Sequence, residues 1–280
     1  MTAVSPDIRI DLGELLAFYA DAGADEPLNE EPVDRFAQAA AQSRARAAAP
    51  ETSHPAPPTA APPRPAPPPS QALAVPDQAQ AAAARELARN AATLDELRAA
   101  MAAFDGCNLK FTAKNLAFAD GNPEADLMLV GEAPGRDEDI QGLPFVGRSG
   151  QLLDRMLAAI GIDRKSAYIT NVIPWRPPGN RTPTPHETEI CRPFIERQIE
   201  LVNPKVLVNL GGPSAKTLLN TTEGILRLRG NWRVHTTASG VAIPAMPTLH
   251  PAYLLRTPAH KRLAWRDFLE VKMKLRGLQD

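Results

Sequence analysis

The chain has 280 residues, 44% of them hydrophobic, and its 31 basic and 32 acidic side chains nearly cancel to a net charge of −1. It has no run of 18 apolar residues, so we expect no membrane-spanning helix, and its first residues lack the basic and apolar regions of a secretory signal. Two cysteines are too few for a disulfide scaffold, and together these features predict a soluble, cytoplasmic protein.

The N-terminal part of the chain is acidic. Residues 1–97 hold 7 basic and 14 acidic side chains, whereas residues 98–280 hold 24 and 18. Within the acidic segment 1–46, Ile8–Ala20 has apolar residues at helical spacing, which predicts a short amphipathic helix. A helix of this length is marginal by itself, so it either lacks an ordered partner or docks on another protein.

A proline-rich stretch follows this segment. It holds 11 prolines between Pro50 and Pro76, a composition that favours extended polyproline II structure over a packed core. We therefore interpret residues 47–80 as a disordered, semi-stiff linker. Residues 81–103 are alanine-rich and contain no Gly or Pro, which predicts one helix, Gln80–Ala103, that leads into a folded domain over residues 104–280.

Within this domain, short apolar runs alternate with amphipathic helices. The predicted strands are Asp126–Gly131, Ala167–Ile173, Lys205–Leu210 and two pieces within Trp232–Pro247. The predicted helices are Ser149–Ile160, Thr184–Leu201, Pro213–Leu219 and Pro258–Gly277. Such alternation is typical of an α/β fold, in which helices cover both faces of a parallel sheet. In these folds ligands bind beyond the carboxyl ends of the strands.

Three polar segments follow predicted strand ends: Gly131–Gln151, Thr170–Arg181 and His250–Arg256. Taken singly, Phe145 suits a core, and a carboxylate such as Glu138 suits a solvated loop or a helix cap. Asn171 is more informative, because an amide at the end of a buried strand must find hydrogen-bond partners or offer its donor and acceptor to a ligand.

Together these segments closely resemble the family 4 uracil-DNA glycosylases. The matching blocks are Gly-Glu-Ala-Pro-Gly from Gly131, Gly-Leu-Pro-Phe-Val-Gly from Gly142, Tyr-Ile-Thr-Asn from Tyr168 with Arg-Pro-Pro-Gly-Asn-Arg from Arg176, and His-Pro-Ala-Tyr-Leu-Leu-Arg from His250. The resemblance covers about residues 104–275. It implies a three-layer α/β/α domain with a central four-stranded, mainly parallel sheet. It also implies a base excision repair enzyme that flips uracil out of DNA and hydrolyses its N-glycosidic bond.

The resemblance also implies a role for each site residue. The implied catalytic residues are Glu132, which would position water, and His250, which would stabilise the departing uracil anion. The implied uracil-binding residues are Phe145, Asn171, Glu138, Gly131 and Ala133, with Glu138 as a wall against the methyl group of thymine and as the alternative carboxylate for the water. The implied DNA-contacting residues are the wedge leucines Leu254 and Leu255 and the cations Arg256, Arg148, Arg176 and Arg181.

The sequence departs from the family at a metal site. Most members hold a [4Fe–4S] cluster on four cysteines, and the matching positions here are Phe104, Cys107, Trp175 and Cys191. Because such a cluster needs four ligands, we expect no cluster, no other cofactor, and apolar packing in its place. The basic insertion of a DNA-trapping sister group is also absent, although His186 is nearby, so we expect turnover and no covalent adduct.

Two other functions stay open from the sequence. A glycosylase of the same fold could act on another deaminated base, or the chain could be a non-catalytic module that binds uracil or DNA. The expected partner is uracil-containing DNA, and the N-terminal segment could recruit a repair or replication protein. We also expect a monomer at the nucleoid, whose excision of uracil survives deletion of residues 1–95.

Overall fold

The structure is a computed structural model that describes residues 77–278. The predicted helix at Ile8–Ala20 lies outside these residues, as does most of the predicted linker. Ten α-helices lie within them: α1 (Asp77–Asn90), α2 (Leu94–Ala103), α3 (Leu109–Thr112), α4 (Arg136–Gln141), α5 (Arg148–Ala159), α6 (Pro185–Val202), α7 (Gly212–Leu219), α8 (Ile225–Leu228), α9 (Pro251–Arg256) and α10 (Lys261–Arg276). None of the ten is long and apolar enough to cross a membrane.

The described residues also form one six-stranded sheet. Its strands are β1 (Asp120–Gly121), β2 (Leu127–Gly131), β3 (Ala167–Asn171), β4 (Val206–Leu210), β5 (Arg233–Thr236) and β6 (Ala242–Thr248), in the spatial order β1-β3-β2-β4-β6-β5. The four central strands run parallel, and the edge strands β1 and β5 pair antiparallel with their neighbours. The predicted four-stranded sheet is therefore confirmed, and two short edge strands extend it.

Helices cover both faces of this sheet because its central strands are largely apolar. Every residue of β2, β3 and β4 is buried, which is typical of parallel strands packed on both sides. Met128 and Val130 pack in one cluster with residues of α1, α2 and α6. Leu129 and Val208 pack in a second cluster with residues of α5 and α10. The three-layer α/β/α arrangement is therefore confirmed.

The helix predicted at Gln80–Ala103 is wrong, because two helices occupy this stretch. Thr93 caps α2, since its Oγ1 accepts the backbone N–H of Glu96 at 3.2 Å. Glu96 Oε2 also accepts the backbone N–H of Ala92, the residue before the cap, at 2.7 Å. A side-chain cap of this kind starts a new helix, and it breaks the run even though the residue types favour helix throughout.

The helix that ends at residue 90 also begins earlier than predicted. Helix α1 begins at Asp77, inside the linker expected to reach residue 80. Both α1 and α2 pack against α6, and they bury Ala84, Ala88 and Leu97 in the core that they share with the sheet. The helices before residue 104 therefore pack with the predicted domain, and deleting residues 1–95 would remove α1 from this core.

Candidate active site

A cleft of about 510 Å³ lies at the carboxyl ends of β2 and β3, and its volume is typical of a small-molecule pocket. These two strands pair in a register that sets Gly131 opposite Asn171. The segments that follow both strands therefore meet at one edge of the sheet. The sequence-predicted residues that line the cleft are Glu132, Ala133, Glu138, Phe145, Asn171, Arg181, His250 and Arg256.

Some lining residues are absent from the sequence-predicted set. They include Gly211 and Gly212, which follow β4, and Tyr253 in α9. Gly211 has a φ of 94°, and a Cβ at this position would lie 3.0 Å from Cβ of His250, so glycine lets the loop pass close to the histidine. The strand-end rule could have found both glycines, because β4 ends at the same edge.

The amide of Asn171 is buried at the end of β3. Asn171 is 4% exposed, and its Oδ1 has no hydrogen-bond partner among the residues that the structure describes. A Cβ at Gly131 would lie 2.4 Å from this oxygen, so only glycine leaves room for the amide. Because an unpaired buried acceptor costs about 1–3 kcal/mol, this oxygen is suited to accept a hydrogen bond from a bound ligand.

The ring of Phe145 lies next to this amide. A Cβ at Gly131 would be 2.5 Å from Cζ of the ring as well as close to Asn171, so the ring and the amide share this glycine as their neighbour. The ring centroid of Phe145 is 5.5 Å from that of His250, with 30° between the planes. The aromatic ring, the amide and the imidazole therefore line the same part of the cleft.

The surroundings of His250 set its protonation state and its tautomer at neutral pH. Burial, followed by the charge of nearby Arg256, lowers the pKa of His250 to about 4, so the imidazole is neutral at pH 7. Its Nδ1 accepts the backbone N–H of Ala252 at 3.1 Å and caps α9. Since a neutral imidazole carries one ring proton, that proton is on Nε2, which leaves Nε2–H to donate to a ligand.

Glu132 is a half-buried carboxylate in the cleft. It follows Gly131 directly, and burial raises its pKa above the usual 4.5. Its side chain has no hydrogen bond or ion pair within residues 77–278. A carboxylate of this kind is suited to orient a water molecule or to face a developing positive charge.

The carboxylate of Glu138 is occupied by the protein backbone. Its Oε2 accepts the N–H of Gly135 at 3.0 Å, and its Oε1 accepts the N–H groups of Val146 and Gly147 at 3.1 and 2.9 Å. Glu138 lines the cleft, but both oxygens are engaged with the loops after β2. This arrangement makes the residue a support for the segment that carries Phe145.

Leu254, which was predicted to act as a DNA wedge, is buried in this structure. Leu254 is 1% exposed and packs with Leu152, Leu249 and Ala264. Leu255 is half-buried against the same cluster. Helix α9 places the side chain of Leu254 in the layer between α5 and α10, so a wedge role would require Leu254 to leave the core.

We expect Leu254→Ala to lower the free energy of unfolding by about 3 kcal/mol, because removing a buried leucine side chain costs about 2–5 kcal/mol. The measurement is urea unfolding followed by circular dichroism. Leu255→Ala is the matched control, and its loss is expected to be about 1 kcal/mol since its side chain is partly exposed. Equal small losses for the two variants would contradict the core assignment of Leu254.

The predicted DNA-contacting arginines differ in how strongly the protein holds them. Arg148 and Arg256 are exposed, and no ion pair to either occurs in the described part of the chain. Arg181 donates to both carboxylate oxygens of Glu187, at 2.8 and 2.6 Å. Arg176 is hydrogen-bonded within its own loop. Arg148 and Arg256 are therefore the cations that are available to an external anion.

The positions of the family's cluster ligands do not fit a four-thiolate cluster. Cys107 and Cys191 are buried with their Sγ atoms 3.9 Å apart. The other two positions, Phe104 and Trp175, place aromatic rings in the same buried apolar cluster and offer no ligand. Among the described residues, no group of three or more His, Cys, Asp and Glu could hold a metal ion. Two of the four ligands are thus replaced by apolar packing.

Comparisons with known proteins agree with this geometry. The family model of the uracil DNA glycosylase superfamily matches residues 118–269. The chain is 39% identical over 184 residues to the type-4 uracil-DNA glycosylase of Archaeoglobus fulgidus, which covers 64% of this chain and 92% of that protein. It is 39% identical over 172 residues to the type-4 enzyme of Thermotoga maritima, with coverages of 59% and 86%.

A third relative is much longer than this chain. It is a DNA polymerase of Bacillus phage SP01, 28% identical over 157 residues, which are 55% of this chain and 16% of that protein. The family match covers more than half of the chain, and the alignments cover 92% and 86% of the two type-4 relatives. This chain therefore belongs to the uracil-DNA glycosylase superfamily, and within it to the type-4 family.

Proposed function

We propose that this chain is a monofunctional uracil-DNA glycosylase, which flips uracil out of DNA, hydrolyses its N-glycosidic bond and leaves an abasic site. The observation that carries the proposal is the buried Oδ1 of Asn171, which has no hydrogen-bond partner among residues 77–278 and lies beside the ring of Phe145. The activity named for the type-4 relatives supports the same reaction.

Recognition of the base follows from the amide of Asn171. Its Oδ1 accepts the N3–H of uracil, and its NH₂ group donates to O4, while Phe145 stacks on the flipped ring. Cytosine has an amino group at position 4 and no N3–H, so it would lose both hydrogen bonds. A pocket that is built to form hydrogen bonds rejects such an analogue by about 10⁴-fold or more.

Cleavage uses the neutral His250 and the half-buried Glu132. As the bond between C1′ and N1 breaks, uracil leaves as an anion, and Nε2–H of His250 donates to its O2. Glu132 orients the water that attacks C1′ and balances the positive charge that develops on the sugar. No lysine of the described chain lines the cleft, which supports simple hydrolysis over Schiff-base chemistry.

The direct test is single-turnover release of uracil from a U·G duplex and from the same strand alone. We expect release from at least one of them, and no detectable release of thymine from a T·G duplex or of cytosine from a C·G duplex. Release of hypoxanthine in place of uracil would move the assignment to another deaminated base. Binding of uracil-containing DNA without release of any base would favour a non-catalytic module.

The raised pKa of Glu132 predicts the acid side of the pH profile. The residue must be ionised to orient water, so the single-turnover rate is expected to fall as the pH drops through a midpoint above 4.5. Glu132→Gln should lower the plateau rate by about 10²-fold and abolish this dependence on pH. An unchanged midpoint in Glu132→Gln would show that another group titrates.

We also propose that the chain carries no [4Fe–4S] cluster. Only two thiols are present, and aromatic rings occupy the other two ligand positions. Protein purified without oxygen is expected to contain far less iron and sulfide than the four of each that a cluster contributes. A chelator should change neither its melting temperature nor its rate of uracil release. Stoichiometric iron and sulfide would overturn the proposal.

Three further proposals concern partners and location. We infer that the acidic segment 1–46 recruits a repair or replication protein, and that the enzyme is a monomer that acts at the nucleoid in the cytoplasm. A related stretch within a phage DNA polymerase supports a link between this domain and replication. Pull-down with residues 1–46 tests the protein partner. Sedimentation of the whole chain tests the monomeric state, and fluorescence imaging tests the location.

A further inference from the structure

The backbone at Phe145 has an unusual conformation. Phe145 has a φ of 55°, in the left-handed region, although it is not glycine. A side chain with a Cβ adopts this region at a cost in free energy, so the surrounding structure must hold it there. The contacts that hold Phe145 therefore decide where its ring lies in the cleft.

The peptide that follows Phe145 is held from both ends by opposite charges. Its carbonyl oxygen accepts a hydrogen bond from Nη2 of Arg164. Its N–H, which belongs to Val146, donates to Oε1 of Glu138 at 3.1 Å. Arg164 also donates from Nη1 to the carbonyl of the preceding Pro144 at 3.3 Å. Two successive carbonyls are thus fixed by one guanidinium.

Arg164 is itself held on two sides. Its Nε donates to Asp154 of α5 at 2.7 Å, and its Nη1 donates to Asp120 of β1 at 2.5 Å. A guanidinium is planar, and its N–H groups have fixed directions. With both aspartates in place, the direction in which Arg164 presents Nη2 to the carbonyl of Phe145 is set by the sheet and by α5.

A glycine completes this arrangement. A Cβ at Gly150 would lie 1.7 Å from the carbonyl oxygen of Phe145, so the first turns of α5 accept this oxygen only because residue 150 has no side chain. Arg164 does not line the cleft. It contacts the backbone of Phe145 from outside.

We propose that Arg164 is a positioning residue for base recognition, which orients the ring of Phe145 through the carbonyls of Pro144 and Phe145. The inference rests on the proposed function, because it assigns Phe145 to stacking on the flipped uracil. As a consequence, Arg164 affects the binding and the release of uracil without contacting the base, the sugar or the reacting water. Asp120 and Asp154 act with it by fixing its plane.

The test measures single-turnover kinetics on a U·G duplex, inhibition by free uracil, and binding to a duplex with an abasic site. Arg164→Met keeps the length of the side chain and removes every donor. We expect its maximal rate to fall about 10–100-fold and the inhibition constant of free uracil to rise about tenfold, since base–aromatic stacking contributes this much. Affinity for the abasic duplex, which has no base to stack, should stay within twofold.

A double-mutant cycle with Phe145→Ala separates positioning from general destabilisation. If Arg164 acts through the ring, Arg164→Met should cause no further loss in the Phe145→Ala background. Arg233→Met is the matched control, because it breaks a surface ion pair with Glu223 at 3.2 Å far from Phe145 in the sheet. It is expected to behave as wild type. If the rate losses of Arg164→Met and Phe145→Ala multiply in the double variant, the proposal is overturned.

Asp154→Asn provides a second variant in case Arg164→Met does not fold. It weakens one anchor of Arg164 and leaves the guanidinium in place. We therefore expect a two- to fivefold change in the maximal rate of uracil release and in the inhibition constant of free uracil. Wild-type kinetics in both Asp154→Asn and folded Arg164→Met would show that Arg164 has no positioning role. Absence of uracil release by the wild type would instead overturn the proposed function itself.

Discussion

Replacing His250 with asparagine is expected to lower the single-turnover rate of uracil release about 10²–10³-fold, since one preorganised donor to a developing anion contributes that much. Asparagine is a good N-cap residue, so it can replace Nδ1 in capping α9. It has no group in the place of Nε2–H. The variant should therefore keep its fold and lose the donor to uracil O2.

Two observations would check this result. Thermal unfolding of the His250→Asn variant at pH 7 should stay close to that of wild type, which separates loss of the donor from loss of structure. A rate within threefold of wild type would contradict the role of His250. His250→Ala, which removes both the cap and the donor, should lose similar activity and more stability.

The lowered pKa of His250 has a consequence for stability as well. The folded protein binds a proton at this residue only near pH 4, whereas the unfolded chain binds it near pH 6.5. Protonation therefore favours unfolding, and the stability present above pH 6.5 is lost as the pH falls towards 4. The donor state of His250 is thus available across the neutral range.

Replacing Asn171 with alanine is expected to reduce uracil release by about 10³-fold, because both hydrogen bonds to the base edge are lost and uracil's polar groups are left unpaired in the pocket. The loss should appear in the maximal rate and in the inhibition constant of free uracil. Affinity for an abasic duplex should be unchanged, because that DNA has no base to contact the amide.

The control for this variant is within the same cleft. Ser149 lines the cleft but has no assigned role in reading the base, so Ser149→Ala is expected to retain activity within a few fold. An Asn171→Ala variant that loses affinity for abasic DNA as strongly as it loses activity would contradict the assignment. Such a result would indicate that Asn171 supports the cleft and does not read uracil.

The amino-acid sequence determines the parts of this protein that depend on local pattern. Short, largely apolar strands alternate with amphipathic helices, and this pattern favours a parallel sheet covered on both faces. Since parallel strands end at the same edge, the residues at and just after their ends, including Asn171 and Glu132, meet in one cleft. The sequence blocks around these strand ends also suffice to identify the family.

Tertiary packing decides the features that depend on contacts between distant residues. Leu254 and Leu255 are indistinguishable in the sequence, and only the packing of α9 between α5 and α10 buries the first of them. The carboxylate of Glu138 accepts hydrogen bonds from the backbone N–H groups of Val146 and Gly147, eight and nine residues later in the chain. Arg164 reaches Asp120, 44 residues earlier in the chain.

The same reason explains the state of His250. Its neutral form follows from burial, and its tautomer follows from the cap that Nδ1 provides to α9. Residue type and spacing do not specify either property, because both depend on which groups surround the ring once the chain has folded. The sequence thus determines which chemical groups enter the cleft, and the tertiary structure determines their burial, their protonation and the backbone that orients them.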